Sequence, residues 1–284
     1  LMKKYFPLLS PALLILIVIV AFPTGYVFYM SSQRWLLSMP EREFIALGNF
    51  ISLFKAPDFQ AALRTTTVYV VMSTLLTGTV GFLLAFLMSG DLRGRNVMRT
   101  IVVLPLIVPP VVAGFAWKFL LSREVGMIGG WILPNLGYQE SMLADPQMAM
   151  VSILIADLWS KTPLMFLIFL AGLQAIPEDL YEMATIDGAN MGELLLYIVI
   201  PILRPMIGLA LVLRLIDALN VFDLIYVMTS GGPGTATQTL PLLGWKIGFN
   251  YFNFGQASAL AVIMLILVVV PSTIIIQRST RLAD

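Results

Sequence analysis

Six apolar runs, each near or beyond the length that crosses a bilayer, alternate with short polar connections along this chain, at about 8–30, 65–88, 100–121, 148–173, 205–228 and 254–276. A helix rises 1.5 Å per residue, so roughly twenty apolar residues span the hydrocarbon layer. No water is present there, so each run must satisfy its backbone internally, as a helix. The expected fold is therefore an all-α membrane protein of six transmembrane helices, forming a single domain over 1–284. Composition agrees. Only 12% of the 284 residues are charged, against about 25% in soluble domains. The first run follows Lys3 and Lys4 and is longer than a signal peptide's apolar core, which favours a retained span that Pro11 and Pro23 can kink.

Short arginine-bearing loops stay on the cytoplasmic side. Arg93, Arg95 and Arg99, Lys3 and Lys4, and Arg278 and Arg281 fall on one side of a six-span chain, which puts both termini in the cytoplasm. The net charge of +1 gives no basic footprint for nucleic acid. The chain has no cysteine and no histidine. Disulfides, thiol chemistry, the usual zinc sites and His general bases are excluded with them. No Walker A sequence occurs, and the GGPG at 231–234 lacks the lysine and reads as a turn. The chain is not expected to be an enzyme, to bind a metal or to hold a cofactor.

Polar residues inside apolar runs are costly and invite a functional reading. Asp157 and Lys161 are four apart, on one helix face and placed to pair. Arg214 and Asp217 are three apart, and Asn220 continues their stripe. Asp223 is rotated away from it, nearer the outer end. These six residues either lock helix against helix or line a polar path, and both readings stand. Trp117, Trp159, Phe222 and Tyr226 lie nearby, though rings in membrane helices are mainly packing or interfacial anchors. In the third run, Pro105, Pro109 and Pro110 mark either a packing irregularity or a bent helix against a cavity. In the second run, Gly78 and Gly81 could allow close helix approach.

Between the fourth and fifth runs lies EMATIDGANMGELLLYIVIPILRP, Glu182 to Pro205. Its front reads as a short helix. Pro177 stands near the start, Glu178, Asp179 and Glu182 suit the positive end of the dipole, and Gly188 stops it. Pro201 and Pro205 are expected to fix the chain where it re-enters the membrane.

The spacing Glu-x-Ala-x-x-Asp-Gly-Ala, followed by Ile198, Pro201 and Pro205, resembles the EAA loop of the membrane subunits of bacterial type I ABC importers. Glu182, Ala184, Asp187, Gly188, Ala189, Ile198 and Pro201 occupy matching positions, while Met183, Leu195 and Ile200 are apolar departures. The stretches LGNFISLFKAPDFQAALRTTTVYV and FDLIYVMTSGGPGTATQTL resemble pieces of the sugar-type permeases of that family.

The resemblance implies a permease subunit of the cytoplasmic (inner) membrane, with Glu182, Ala184, Asp187, Gly188 and Pro201 coupling it to an ATPase. It implies a second homologous permease, a dimer of ATPase subunits carrying ATP and Mg, an external solute-binding protein and surrounding lipid. The substrate class it suggests is a sugar, polyol or sugar derivative. A different class, an ion-coupled secondary transporter using Asp157, Asp217 or Asp223, stays open on the residues alone, although the chain shows no internal repeat of the kind such folds often carry.

Overall fold

The structure, a computed structural model, describes residues 10, 11, 14–39, 41–90, 93–138 and 140–281. In chain order it runs α1 (Leu14–Ser31), β1 (Gln33–Arg34), β2 (Glu43–Phe44), α2 (Gly48–Lys55), α3 (Pro57–Ser89), α4 (Arg95–Ile107), α5 (Pro110–Leu120), α6 (Pro146–Gln174), α7 (Glu178–Ile186), α8 (Met191–Leu219), α9 (Asp223–Met228), α10 (Leu240–Trp245) and α11 (Phe254–Arg281). The fold is mainly helical, with β1 and β2 forming one short antiparallel ribbon. Long apolar helices cover the first, second, fourth and sixth runs. The expected start of the first run, at residue 8, lies outside the described residues.

Two runs differ from expectation. The third is not one helix. It is α4 and α5, bent by 101° at their junction. Val108 precedes Pro109 and Pro109 precedes Pro110. A residue before proline is pushed out of the helical region, and both are extended here, with ψ of 120° and 142°. Two such residues in succession leave no helical path, so the chain turns sharply.

The fifth span begins at Met191 rather than at residue 205, and it ends at Leu219 rather than at 228. Its start is set by a capping box, in which the Asn190 side chain accepts from the Glu193 N–H and the Glu193 carboxylate accepts from the Asn190 N–H. The prolines read as a boundary lie inside the helix. A π-turn at Leu195–Val199 precedes Pro201, shifting the bonding just where Pro201 has no N–H to offer. At the other end the Ile216 carbonyl accepts from both the Asn220 side chain, at 2.7 Å, and the Asn220 backbone N–H, at 3.3 Å. The backbone then breaks before α9.

The described chain forms two compact units. One gathers the chain up to Gln60 with Leu243–Leu267, and the other holds Ala61–Leu242 with the chain from Val268. In the first, the Asn49 amide donates to the carbonyls of Ser31 and Gln33 at 2.9 and 2.8 Å, fixing α2 on the ribbon. Leu36 bridges to Asn253, and the Trp35 ring meets Phe254.

The second unit carries the core around Phe166 and Phe169 of α6. Ala85 and Met88 of α3, together with Val199, Leu203 and Ala210 of α8, pack on it. α6 starts cleanly because the Asp145 carboxylate accepts from the Gln147 and Met148 N–H groups while Pro146 occupies the first turn. Close approach of α3 to α6 rests on Gly81. A Cβ there would lie 2.6 Å from Met165 Cβ and 3.0 Å from the Phe166 backbone nitrogen, whereas Gly78 has nothing within 4 Å. Gly81→Val is therefore expected to cost about 1–3 kcal/mol of stability through overpacking, while Gly78→Val stays within about 0.5 kcal/mol of wild type. Thermal melts of the two purified variants check this, and equal melting temperatures would show that the helices do not meet at Gly81.

Candidate functional site

Four charged side chains and two hydroxyls from three helices meet inside the second unit. Asp157 of α6 is 1% exposed and Arg214 of α8 is 2% exposed. Tyr69 and Ser73 stand four apart on α3, so their side chains share one face. The Tyr69 hydroxyl donates to Asp157 Oδ1 at 2.8 Å, and the Ser73 hydroxyl donates to Oδ2 at 2.7 Å. The Arg214 guanidinium completes the shell of Asp157 and also reaches Ser73 and Asp217. Lys161 Nζ donates to Asp217 Oδ1 at 2.8 Å. The order of partners is Asp157, Arg214, Asp217, Lys161, alternating in sign.

The expected pairing of Asp157 with Lys161 is thus replaced by pairing across helices. Asp157 is fully buried, where a carboxylate needs both charge and hydrogen bonds. The planar Arg214 fork engages two carboxylates at once through donors held in a fixed geometry. Lys161 and Asp217, 27% and 38% exposed at the side chain, are left to pair at the edge of the cluster. The local pairing of Arg214 with Asp217 is present as expected.

That edge faces a cavity of about 320 Å³ lined by Asp157, Lys161, Asp217, Asn220, Asp223 and Phe222, among others, within the range of roughly 300–1,000 Å³ for small-molecule sites. A second cavity of about 160 Å³ touches Pro105, Val108, Pro110, Lys161 and Asp217. Of the two readings of the third run, the bent helix against a cavity is the one observed. Asp223 joins Asp217 and Asn220 at the first cavity instead of pointing away from them, because the break at 220–222 resets the helical phase. Trp117 meets Trp159 edge to face at 6.3 Å, and Phe222 stacks on Tyr226 at 5.2 Å.

Tyr69, Ser73 and Ser160 were not foreseen as part of this site, although Ser160 lines both cavities. The available signal was the Tyr69-x-x-x-Ser73 spacing, two hydroxyls on one face of an apolar span.

The second candidate feature is α7. Pro177 precedes it, and Asp187 and Gly188 close it. Gly188 sits at φ 75°, the left-handed region. Its N–H donates to the Thr185 carbonyl at 3.1 Å, and the Ala189 N–H donates to the Ala184 carbonyl at 3.0 Å. These two bonds define a Schellman closure, which needs a residue tolerant of positive φ. One face of α7 is anchored. Ala184 is buried, and Leu180 and Tyr181 pack on the core of α6 and α8. Burial pushes the Tyr181 phenol above its ordinary value. The other face is open, with Glu182 and Asp187 exposed, Met183 52% exposed and Ile186 84% exposed. Pro201, half-buried in α8, lies apart from this face in sequence.

The profile of the family described as "Binding-protein-dependent transport system inner membrane component" matches residues 77–284. The chain belongs to this family. It is a permease subunit of a binding-protein-dependent ABC importer, a transport component of the inner membrane and not an enzyme. The permease is 39% identical over 270 residues to the trehalose/maltose transport system permease protein MalF of Thermococcus litoralis, covering 94% of this chain and 90% of that one. It is 31% identical over 263 residues to the sn-glycerol-3-phosphate transport system permease protein UgpA of Agrobacterium fabrum, covering 92% and 89%. Its fold matches a chain in the crystal structure of a bacterial ABC transporter involved in the import of the acidic polysaccharide alginate. That match has a TM-score of 0.84 at 21% identity and covers 100% of this chain and 98% of the other.

Proposed function

We propose that the permease forms half of the translocation path for a sugar, polyol or sugar derivative. Asp157, Lys161, Arg214, Asp217, Asn220 and Asp223 build the polar wall of that path. A second homologous permease supplies the other half. ATP and Mg are held by a pair of ATPase subunits, which engage α7 through Glu182, Asp187 and the closure at Gly188. Ala184 holds α7 to the core behind that face, and Pro201 belongs to the helix that carries the movement into the membrane. An external solute-binding protein delivers the substrate. Both termini lie on the cytoplasmic side, with the ATPase pair.

The observation that carries this reading is the joint presence, in one compact unit, of a charged cavity among the spanning helices and of a short helix fixed on one face and bare on the other. A trehalose/maltose relative and a glycerol-phosphate relative both fall within the proposed substrate class. Alternating charges that already neutralise one another suit hydroxyl-rich solutes, which offer donors and acceptors together. Family membership displaces the ion-coupled reading of the buried aspartates.

The test is purification of the permease from its native membrane in mild detergent, with its companions identified by mass spectrometry. An ATPase subunit and a second six-span permease are expected. Recovery of the chain alone, with no ATPase reconstituting onto it, would overturn the coupling assignment.

A further inference from the structure

The charges at the larger cavity do not balance. Asp157 and Asp217 are matched by Arg214 and Lys161, two negative against two positive, all joined by ion pairs. Asp223 is exposed, lines the same cavity and makes no ion pair or side-chain hydrogen bond among the described residues. Lys118, on the packed neighbour α5, is not among the residues that line this cavity, and its Nζ donates to the Val227 carbonyl at 3.0 Å. The cavity therefore holds one carboxylate with no counter-charge. An excess of one negative charge among the lining side chains biases the potential in the space a solute must occupy.

We propose that Asp223 sets the charge selectivity of this cavity, so that the permease takes neutral polyhydroxy solutes and turns away phosphorylated or carboxylated ones. This rests on the reading of the cavity as part of the translocation path, and it narrows the substrate class given there. A solute anion entering the cavity finds both cations already occupied by carboxylates and a further carboxylate facing it. A neutral sugar finds in Asp223 an acceptor for paired hydroxyls, with Lys161 as donor beyond its bond to Asp217. Asp223 is a specificity-determining residue here, not a member of the structural ion network.

The absence of cysteine from the chain supplies the test. In the assembled importer, Asn220→Cys, with Ser160→Cys as a second reporter, is labelled with methanethiosulfonates of matched size. One carries a trimethylammonium group and one a sulfonate, and methyl methanethiosulfonate is the neutral reference. Labelling of this chain alone is read on a gel. After correction for intrinsic reactivity, the cationic reagent is expected to react about tenfold faster than the anionic one, within the range that focused fields produce. Asp223→Asn should bring the ratio close to one, and Asp223→Glu should keep it. A purely structural role for Asp223 would slow or speed all three reagents together.

Equal rates for both charged reagents in the wild-type background overturn the proposal, as does a ratio indifferent to Asp223→Asn. Silence of both reporters toward the neutral reagent in every nucleotide state also overturns it, because the cavity is then closed to solutes. A second arm uses trehalose and trehalose 6-phosphate as protectants. Protection by the neutral sugar alone is expected. Equal protection by the phosphate overturns the substrate assignment. No protection by either, with the charge ratio still dependent on Asp223, overturns the path reading and not the charge assignment.

Discussion

Arg214→Met is expected to lower the melting temperature of the assembled complex by on the order of 10 °C, and adding Asp157→Leu is expected to recover most of that loss. The single change strips the counter-charge from a carboxylate that is 1% exposed. The Tyr69 and Ser73 hydroxyls remain, but neutral donors do not offset a buried charge. Breaking one side of such a pair costs about 3–5 kcal/mol, whereas replacing both sides by apolar groups is often close to neutral. Asp217 keeps Lys161 in either variant, so the double change leaves no orphaned charge. Thermal unfolding followed by size-exclusion chromatography reads the outcome. If Arg214→Met melts within about 2 °C of wild type, or if the double variant is the worse of the two, the network does not hold the helices together in the way described.

The second large effect concerns α7. Glu182→Lys and Ile186→Asp are each expected to reduce ATP-driven uptake in proteoliposomes at least about tenfold while leaving the melting temperature within about 2 °C of wild type, since changes at exposed sites usually stay within about 0.5 kcal/mol. Both residues lie on the bare face, and Ile186 is 84% exposed, so the fold has little stake in them. Tyr181→Ala should differ in kind. It removes a contact with the core of α6 and α8 and should lower both stability and uptake. Gly188→Asp is an intermediate case. There is room for the side chain, with nothing within 4 Å. The positive φ nevertheless costs a non-glycine residue about 1–2 kcal/mol, and the added carboxylate meets the negative end of the helix. Normal ATP-driven uptake in Glu182→Lys would falsify the coupling role of this face.

Apolar length made most of the spans legible, because a run such as 148–173 has no soluble alternative. The start of α8 departs from the expected residue 205 because Pro201 and Pro205, read from sequence as the point of membrane re-entry, lie inside the helix. The Asn190-x-x-Glu193 capping box stood eleven residues ahead of Pro201 in plain view. The bend at Val108–Pro109 was legible as a place but not as an angle. Of the ion network, only the local Arg214–Asp217 pair was legible, and the pairing across helices was not. Spacing of three or four along one helix points to local partners, and burial then decides between those and partners on other helices. Tyr69 and Ser73 carry little signal in the sequence because hydroxyls in apolar helices commonly bond back to their own backbone, as Thr66 and Thr77 do here with Ala62 and Ser73.

The joint between α7 and α8 has a mechanical consequence. The Schellman closure ends at Ala189 and the capping box begins at Asn190. The adjoining N–H groups of Gly188, Ala189 and Asn190 are all engaged. No free residue stands between the two helices to absorb displacement as a hinge would. Under the proposed coupling, a push on the bare face of α7 would meet no slack at this joint and would enter α8 directly, so the joint would act as a crank on the helix that carries Arg214 and Asp217.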